Sequence, residues 1–159
     1  MADNAVDFAV VAYRDEGQWQ VQALPPGSAD DIESLITALR PWPSDTGALG
    51  LVSVDDDFFV IARVMGQRVQ LLLSDVTAAT EWELASGVID QLDLPEPDDD
   101  EDPQPAGDLA LLADLGVSAM DMGVLCDDDE LYPDDVLADV ARLIGFESQF
   151  QAAVDAVSV

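Results

Sequence analysis

The chain has 159 residues, with 34 Asp and Glu against 5 Arg, no Lys and no His, for a formal charge of −29. That length suits one domain, and a hydrophobic share of 49% supplies a core that a disordered acidic tail lacks. Without clustered Lys and Arg there is no grip on a phosphate backbone, so direct nucleic-acid binding is excluded. Without His, so are Ser-His-Asp triads, Cys-His pairs and His metal sites.

Residues 6–14 are rich in β-formers, Asp15-Glu16-Gly17 is a turn signal, and Trp19 to Gln22 alternates. This predicts a β-hairpin, closed by Pro25-Pro26-Gly27. Ser28 is a candidate N-cap for a helix over residues 29–40. Its early acids Asp30, Asp31 and Glu33 suit the positive helix end, and Ile32, Leu35, Ile36 and Leu39 recur at helical spacing. Pro41-Trp42-Pro43 ends it. Three strands follow, over residues 49–54, 58–65 and 68–74, with turns at Asp55-Asp56-Asp57 and Gly66-Gln67, as in an antiparallel meander. A second helix is expected over residues 75–92, capped by Ser74 or Asp75, although Gly87 weakens it.

Residues 94–107 break the composition. Pro95, Pro97, Pro103 and Pro105 surround Asp98-Asp99-Asp100-Glu101-Asp102, a pattern favouring an extended, solvated linker. Short helices are expected beyond it. Asp108 would cap residues 109–113, and Ser118 would start 119–126. Pro133-Asp134-Asp135 would open a helix ending near Gly145, and a last helix would cover 147–156. The fold class is therefore α+β: an antiparallel sheet of about five strands with two helices (ββαβββα, residues 1–93), an acidic linker (94–107) and a small helical region (108–159). That last region, at about 50 residues, would be marginal alone. It is expected to dock on the sheet or to dimerise.

Charge is distributed unevenly. Residues 1–68 carry 11 acids and 4 arginines; residues 69–141 carry 21 acids and no base. Such a surface repels nucleic acid and attracts a basic partner. Asp127, Asp128, Asp129, Glu130, Asp134 and Asp135 are the candidate partner-binding residues, because they fall between helices and not in the linker. A purely solubilising role for the charge is the simpler alternative.

Other motifs carry less. Asp55-Asp56-Asp57-Phe58-Phe59 lacks the alternate ligands, glycine and terminal Glu of a calcium loop. Asp127-Asp128-Asp129-Glu130 would hold a divalent cation only loosely, so no metal and no cofactor is expected. Trp19, Trp42 and Trp82 have no basic groove beside them and read as core. Arg63 and Arg68 flank the Gly66 turn; they could bind an anion, but pairing with nearby carboxylates is expected, and exposed pairs contribute little. Cys126, the sole cysteine, excludes an internal disulfide and reads as a half-buried apolar residue whose following carboxylates oppose thiolate formation. The first residues have no basic n-region, and no apolar run approaches the ~18 residues of a membrane span, so a cytoplasmic location is expected.

Several blocks together carry a family resemblance. They are Phe8-Ala9-Val10-Val11-Ala12 with Trp19, Asp30-Asp31-Ile32-Glu33-Ser34-Leu35, and the strand from Asp55 to Val64. Val69-Gln70-Leu71-Leu72-Leu73-Ser74-Asp75, the stretch from Gly107-Asp108-Leu109 to Asp114-Leu115-Gly116, and Cys126 to Pro133 complete them. The chain resembles, over almost its full length, the actinobacterial tRNA adenosine deaminase-associated proteins. That family takes its name from a gene that tends to lie beside the deaminase gene. The resemblance implies an accessory role and carries over no catalytic residue. The chain is not the deaminase: zinc deaminases need His/Cys/Cys or three Cys about the metal. The expected function is thus a non-enzymatic accessory or regulatory protein that binds a basic protein, such as a tRNA adenosine deaminase, through its acidic surface. A nucleic-acid mimic that inhibits another basic protein and a divalent-metal-binding protein are the alternatives.

Overall fold

The computed structural model describes residues 6–24, 27–42, 47–54, 57–98, 100, 102, 104–128 and 130–157. Six antiparallel strands form one sheet in the order β2-β1-β3-β4-β5-β6. They are β1 (Val6–Asp15), β2 (Gln18–Ala23), β3 (Ala48–Val54), β4 (Phe58–Met65), β5 (Arg68–Leu73) and β6 (Ala106–Gly107). The α+β class and the meander follow the sequence pattern. The sixth strand does not, because two residues paired to Leu72 and Leu73 leave no alternation to read. It forms at the end of the stretch 94–107. A side chain at Gly107 (φ +114°) would meet the Leu71 carbonyl oxygen, so only glycine lets the chain lie this close to β5.

Helices cover both sheet faces. On one face lie α1 (Ile32–Leu39) and α2 (Glu83–Gln91), whose Leu35, Leu39, Val88 and Ile89 pack on Val52, Phe58, Val60 and Ala62. On the other lie α3 (Ala119–Asp127), α4 (Pro133–Ile144) and α5 (Glu147–Val157), where Leu137, Val140, Phe146 and Phe150 meet Phe8, Val10, Leu51, Phe59 and Ile61. Alternate residues of one strand thus enter two separate cores. Every position of β3 is buried in consequence. The C-terminal helices therefore dock on the sheet, closing a three-layer sandwich.

Local chemistry explains where the predicted elements shift. Helix α1 starts at Ile32, not residue 29, because Asp31 is extended and its carboxylate accepts from the Ser34 amide at 2.7 Å. The helix expected over 75–92 is two elements. Asp75 caps a 3-10 turn, Val76–Thr80, in which β-branched residues disfavour a regular helix; extended Trp82 then opens α2. The indole of Trp82 donates to Asp57 across the β3–β4 turn and packs on Phe58. Residues 109–113 form turns, not a helix. Their bonds run i to i+3, and the Leu111 carbonyl that a helix would give to Leu115 instead accepts from Arg63. Residues 119–127, 133–144 and 147–157 are helical as expected, with Ser118 and Pro133 at their starts and left-handed Gly145 closing α4.

Gly87 sits inside α2 where that helix crosses α1. A β-carbon there would lie 2.6 Å from Ile32 Cγ2. Gly87→Ala is expected to destabilise by about 1–2 kcal/mol, the overpacking exceeding the helix-propensity gain. Thermal unfolding checks it, and a raised melting temperature would mean that Ile32 gives way.

Candidate functional site

The sheet places three distant chain segments around one open cleft of about 230 Å³. The turn before β4 contributes Asp57. The end of β5 contributes Ser74 and Asp75. The end of α3 contributes Cys126, Asp127 and Asp128, with Gln104 closing one side. Phe59, Leu125, Leu131 and Val136 are its apolar lining, and none of the described lining residues is basic.

Three of its four carboxylates are held by their own local structure. Asp57 accepts from the Trp82 indole at 3.2 Å. Asp75 accepts from the Thr77 amide at 2.9 Å and its hydroxyl at 2.6 Å. Asp128, at the C-cap of α3, accepts from the Glu130 amide at 2.9 Å. These bonds orient the acids without neutralising them. The carbonyl end of α3 adds a partial negative charge at Asp128. Among the described residues, no three Asp, Glu or Cys side chains converge closely enough to hold a metal ion. The described cleft residues therefore spread negative charge along its walls.

Of the candidate partner-binding residues, Asp127 and Asp128 line the cleft. Glu130 is exposed just beyond it. Asp134 and Asp135 are exposed in the first turn of α4, where the Asp135 carboxylate accepts from the Tyr132 amide at 3.2 Å. Asp129 lies outside the described residues, as do Asp55 and Asp56. Sequence reading missed the opposite wall, Asp57 and Asp75. Neither was distinguishable from other turn and cap residues until the sheet order brought them to the end of α3.

Cys126 lies half-buried on this wall. Burial, with Asp127 beside it, pushes its thiol up to about 11. At pH 8 the folded protein should hold roughly one-hundredth of the thiolate of an unperturbed cysteine at 9.0. Alkylation by iodoacetamide is expected to be slow in the native state and fast in denaturant; equal rates would contradict this environment.

Arg63 departs from its expected role. It pairs with a carboxylate as expected, but it is itself buried, at 3% exposure. It lies in phase with Phe59 and Ile61 and so points into the C-terminal core. Its guanidinium donates to the Leu111 carbonyl at 2.7 Å and to both oxygens of Asp114 at 2.6 and 2.9 Å. The fork ties the 108–117 turn to β4. The three tryptophans form no common platform: Trp19 packs on Phe146 on one sheet face, while Trp42 packs on Tyr13 and Trp82 on Phe58 on the other.

Together these features define a small acidic α+β sandwich with a carboxylate-lined cleft at one end of its central strands. A family model described as Rv3753c-like tRNA adenosine deaminase-associated protein matches residues 7–147. Protein Rv3753c of Mycobacterium tuberculosis (strain ATCC 25618 / H37Rv) is 40% identical over 157 residues, covering 97% of this chain and 91% of that protein. The chain belongs to the Rv3753c-like tRNA adenosine deaminase-associated protein family. That description concerns association with a deaminase, not the deaminase itself. No solved structure matches the chain. Among the described residues, no helix is long and apolar enough to cross a membrane.

Proposed function

We propose that this protein is a non-catalytic accessory factor of the cytoplasm that binds the tRNA adenosine deaminase of its cell through the acidic surface around the cleft. The observation that carries the reading is the gathering of Asp57, Asp75, Asp127 and Asp128 on one cleft, in a chain with no basic residue between positions 69 and 141. An enzyme that holds tRNA needs a cationic surface. That surface is the electrostatic complement of this one, and complementary fields raise encounter rates and orient docking. The family description supplies the partner's class.

Titration of the purified deaminase with the full-length protein, at low and at raised salt, tests this. Binding that weakens as salt rises is expected, because exposed charges are screened within about 10 Å at 0.1 M salt. Absence of binding removes the partner, and binding indifferent to salt removes the electrostatic mechanism. Adding tRNA then separates two modes: displacement makes the acidic wall a mimic of the phosphate backbone, and a ternary complex makes it an adaptor.

A further inference from the structure

We infer that the outward face of α3 is the docking strip for an amphipathic basic helix of that partner, with apolar contact along the helix and a cation in the cleft at its end. The inference rests on the accessory reading above and assigns its contact surface.

Helix α3 buries only Met122 fully. Met120 and Val124, one turn apart, are 79% and 64% exposed. Asp127 is exposed at the next turn on the same side, since positions i, i+4 and i+7 share a helical face. The strip therefore runs from two apolar side chains to a carboxylate, about 10 Å along the axis at 1.5 Å per residue. It ends where Asp127 and Asp128 enter the cleft. Tyr132 stands between the cleft residues Leu131 and Pro133 and is itself 61% exposed. Single exposed apolar residues are ordinary. An aligned pair that leads into an acidic cleft is a patterned surface.

The pattern selects its occupant. A helix laid in such a place contacts through i, i+4 apolar anchors, and methionine adapts to varied partners. Its basic residue, about one turn beyond the second anchor, would meet Asp127, Asp128 and the negative end of α3. A second copy of this chain offers the opposite of what is required, because its own exposed surface is overwhelmingly acidic. Charge complementarity therefore assigns a basic partner.

The test is the full-length double variant Met120→Glu/Val124→Glu, with Met120→Gln/Val124→Thr as a milder companion. Both positions are exposed, so thermal unfolding should match the parent protein; if the first variant is less stable, the second is read instead. Affinity for the deaminase should fall at least tenfold, while the salt dependence set by the cleft acids persists. Unchanged affinity in a folded variant, beside a parent that binds, overturns the strip and leaves the accessory reading intact. Should the parent itself not bind the deaminase, the accessory reading falls and the strip is judged alone. A synthetic helical peptide with two leucines four residues apart and an arginine one turn beyond the second must then shift the Met120 and Val124 methyl resonances. No shift, or shifts elsewhere only, rejects the strip. A self-associated parent made monomeric by the double variant would place a second copy there and reject the basic occupant.

Discussion

Replacing Arg63 by alanine is expected to lower unfolding free energy by about 3 kcal/mol, measured by urea unfolding at neutral pH. The side chain is the one buried charged group among the described residues, and its stem packs within the C-terminal core. Removing it strands the buried Leu111 carbonyl, opens a cavity and releases Asp114. Asp114 is 63% exposed and regains water readily, which keeps the cost below that of breaking a fully buried pair. Arg63→Lys should recover only part of the loss, because an ammonium lacks the planar fork that spans both carboxylate oxygens and the carbonyl. A loss under about 1 kcal/mol for the alanine variant would mean that the fork is incidental to folding.

The same pair sets a pH dependence. The Arg63 hydrogen bonds hold the Asp114 carboxyl below the usual carboxylate range. Its stabilising contribution is complete above the unfolded value, near 3.8, and disappears as pH falls through the lowered folded value. The stability difference between the parent and Asp114→Asn should therefore be constant near neutrality and close in acid.

Neutralising the cleft is the second change with a large expected effect. The quadruple variant Asp57→Asn, Asp75→Asn, Asp127→Asn and Asp128→Asn removes charge and keeps oxygen acceptors for the Trp82 indole, Thr77 and the Glu130 amide. Folding should survive, since asparagine serves these turns and caps nearly as well as aspartate. Affinity for the deaminase at low salt should fall at least tenfold, and its salt dependence should flatten in proportion to the lost contacts. A folded variant that binds as the parent does, with the same salt dependence, would move the contact away from the cleft.

Strands were more legible in the sequence than sites. Val10 to Ala12 and Phe59 to Ala62 read as strands on composition alone, and their unbroken apolar character marks a sheet covered on both sides. That feature could have settled the docking of the C-terminal helices in advance. Arg63 was misjudged because its nearness to the Gly66 turn suggested exposure, whereas its phase with Phe59 and Ile61 dictates burial. Half of the cleft was legible, because Asp127 and Asp128 follow a capped helix. The other half required the sheet order: Asp57 and Asp75 reach α3 only after β4, β5 and a long return of the chain. Met120 and Val124 were hidden within an expected helix whose apolar residues point to both sides, leaving no clear face to read.

Helix α5 is synthesised well after β1 and β2, yet it lies over both. Phe150 meets Phe8 edge-on at 5.5 Å, and the Gln149 amide caps the Trp19 carbonyl on the outer sheet edge at 3.1 Å. A nascent chain still lacking residues 133–157 has one greasy sheet face and a bare edge strand, both of them adhesive to other chains. That layer closes only once residues 133–157 have been made. A product that stalls short of them is then conspicuous to chaperones and proteases, whereas docked α4 and α5 hide that face.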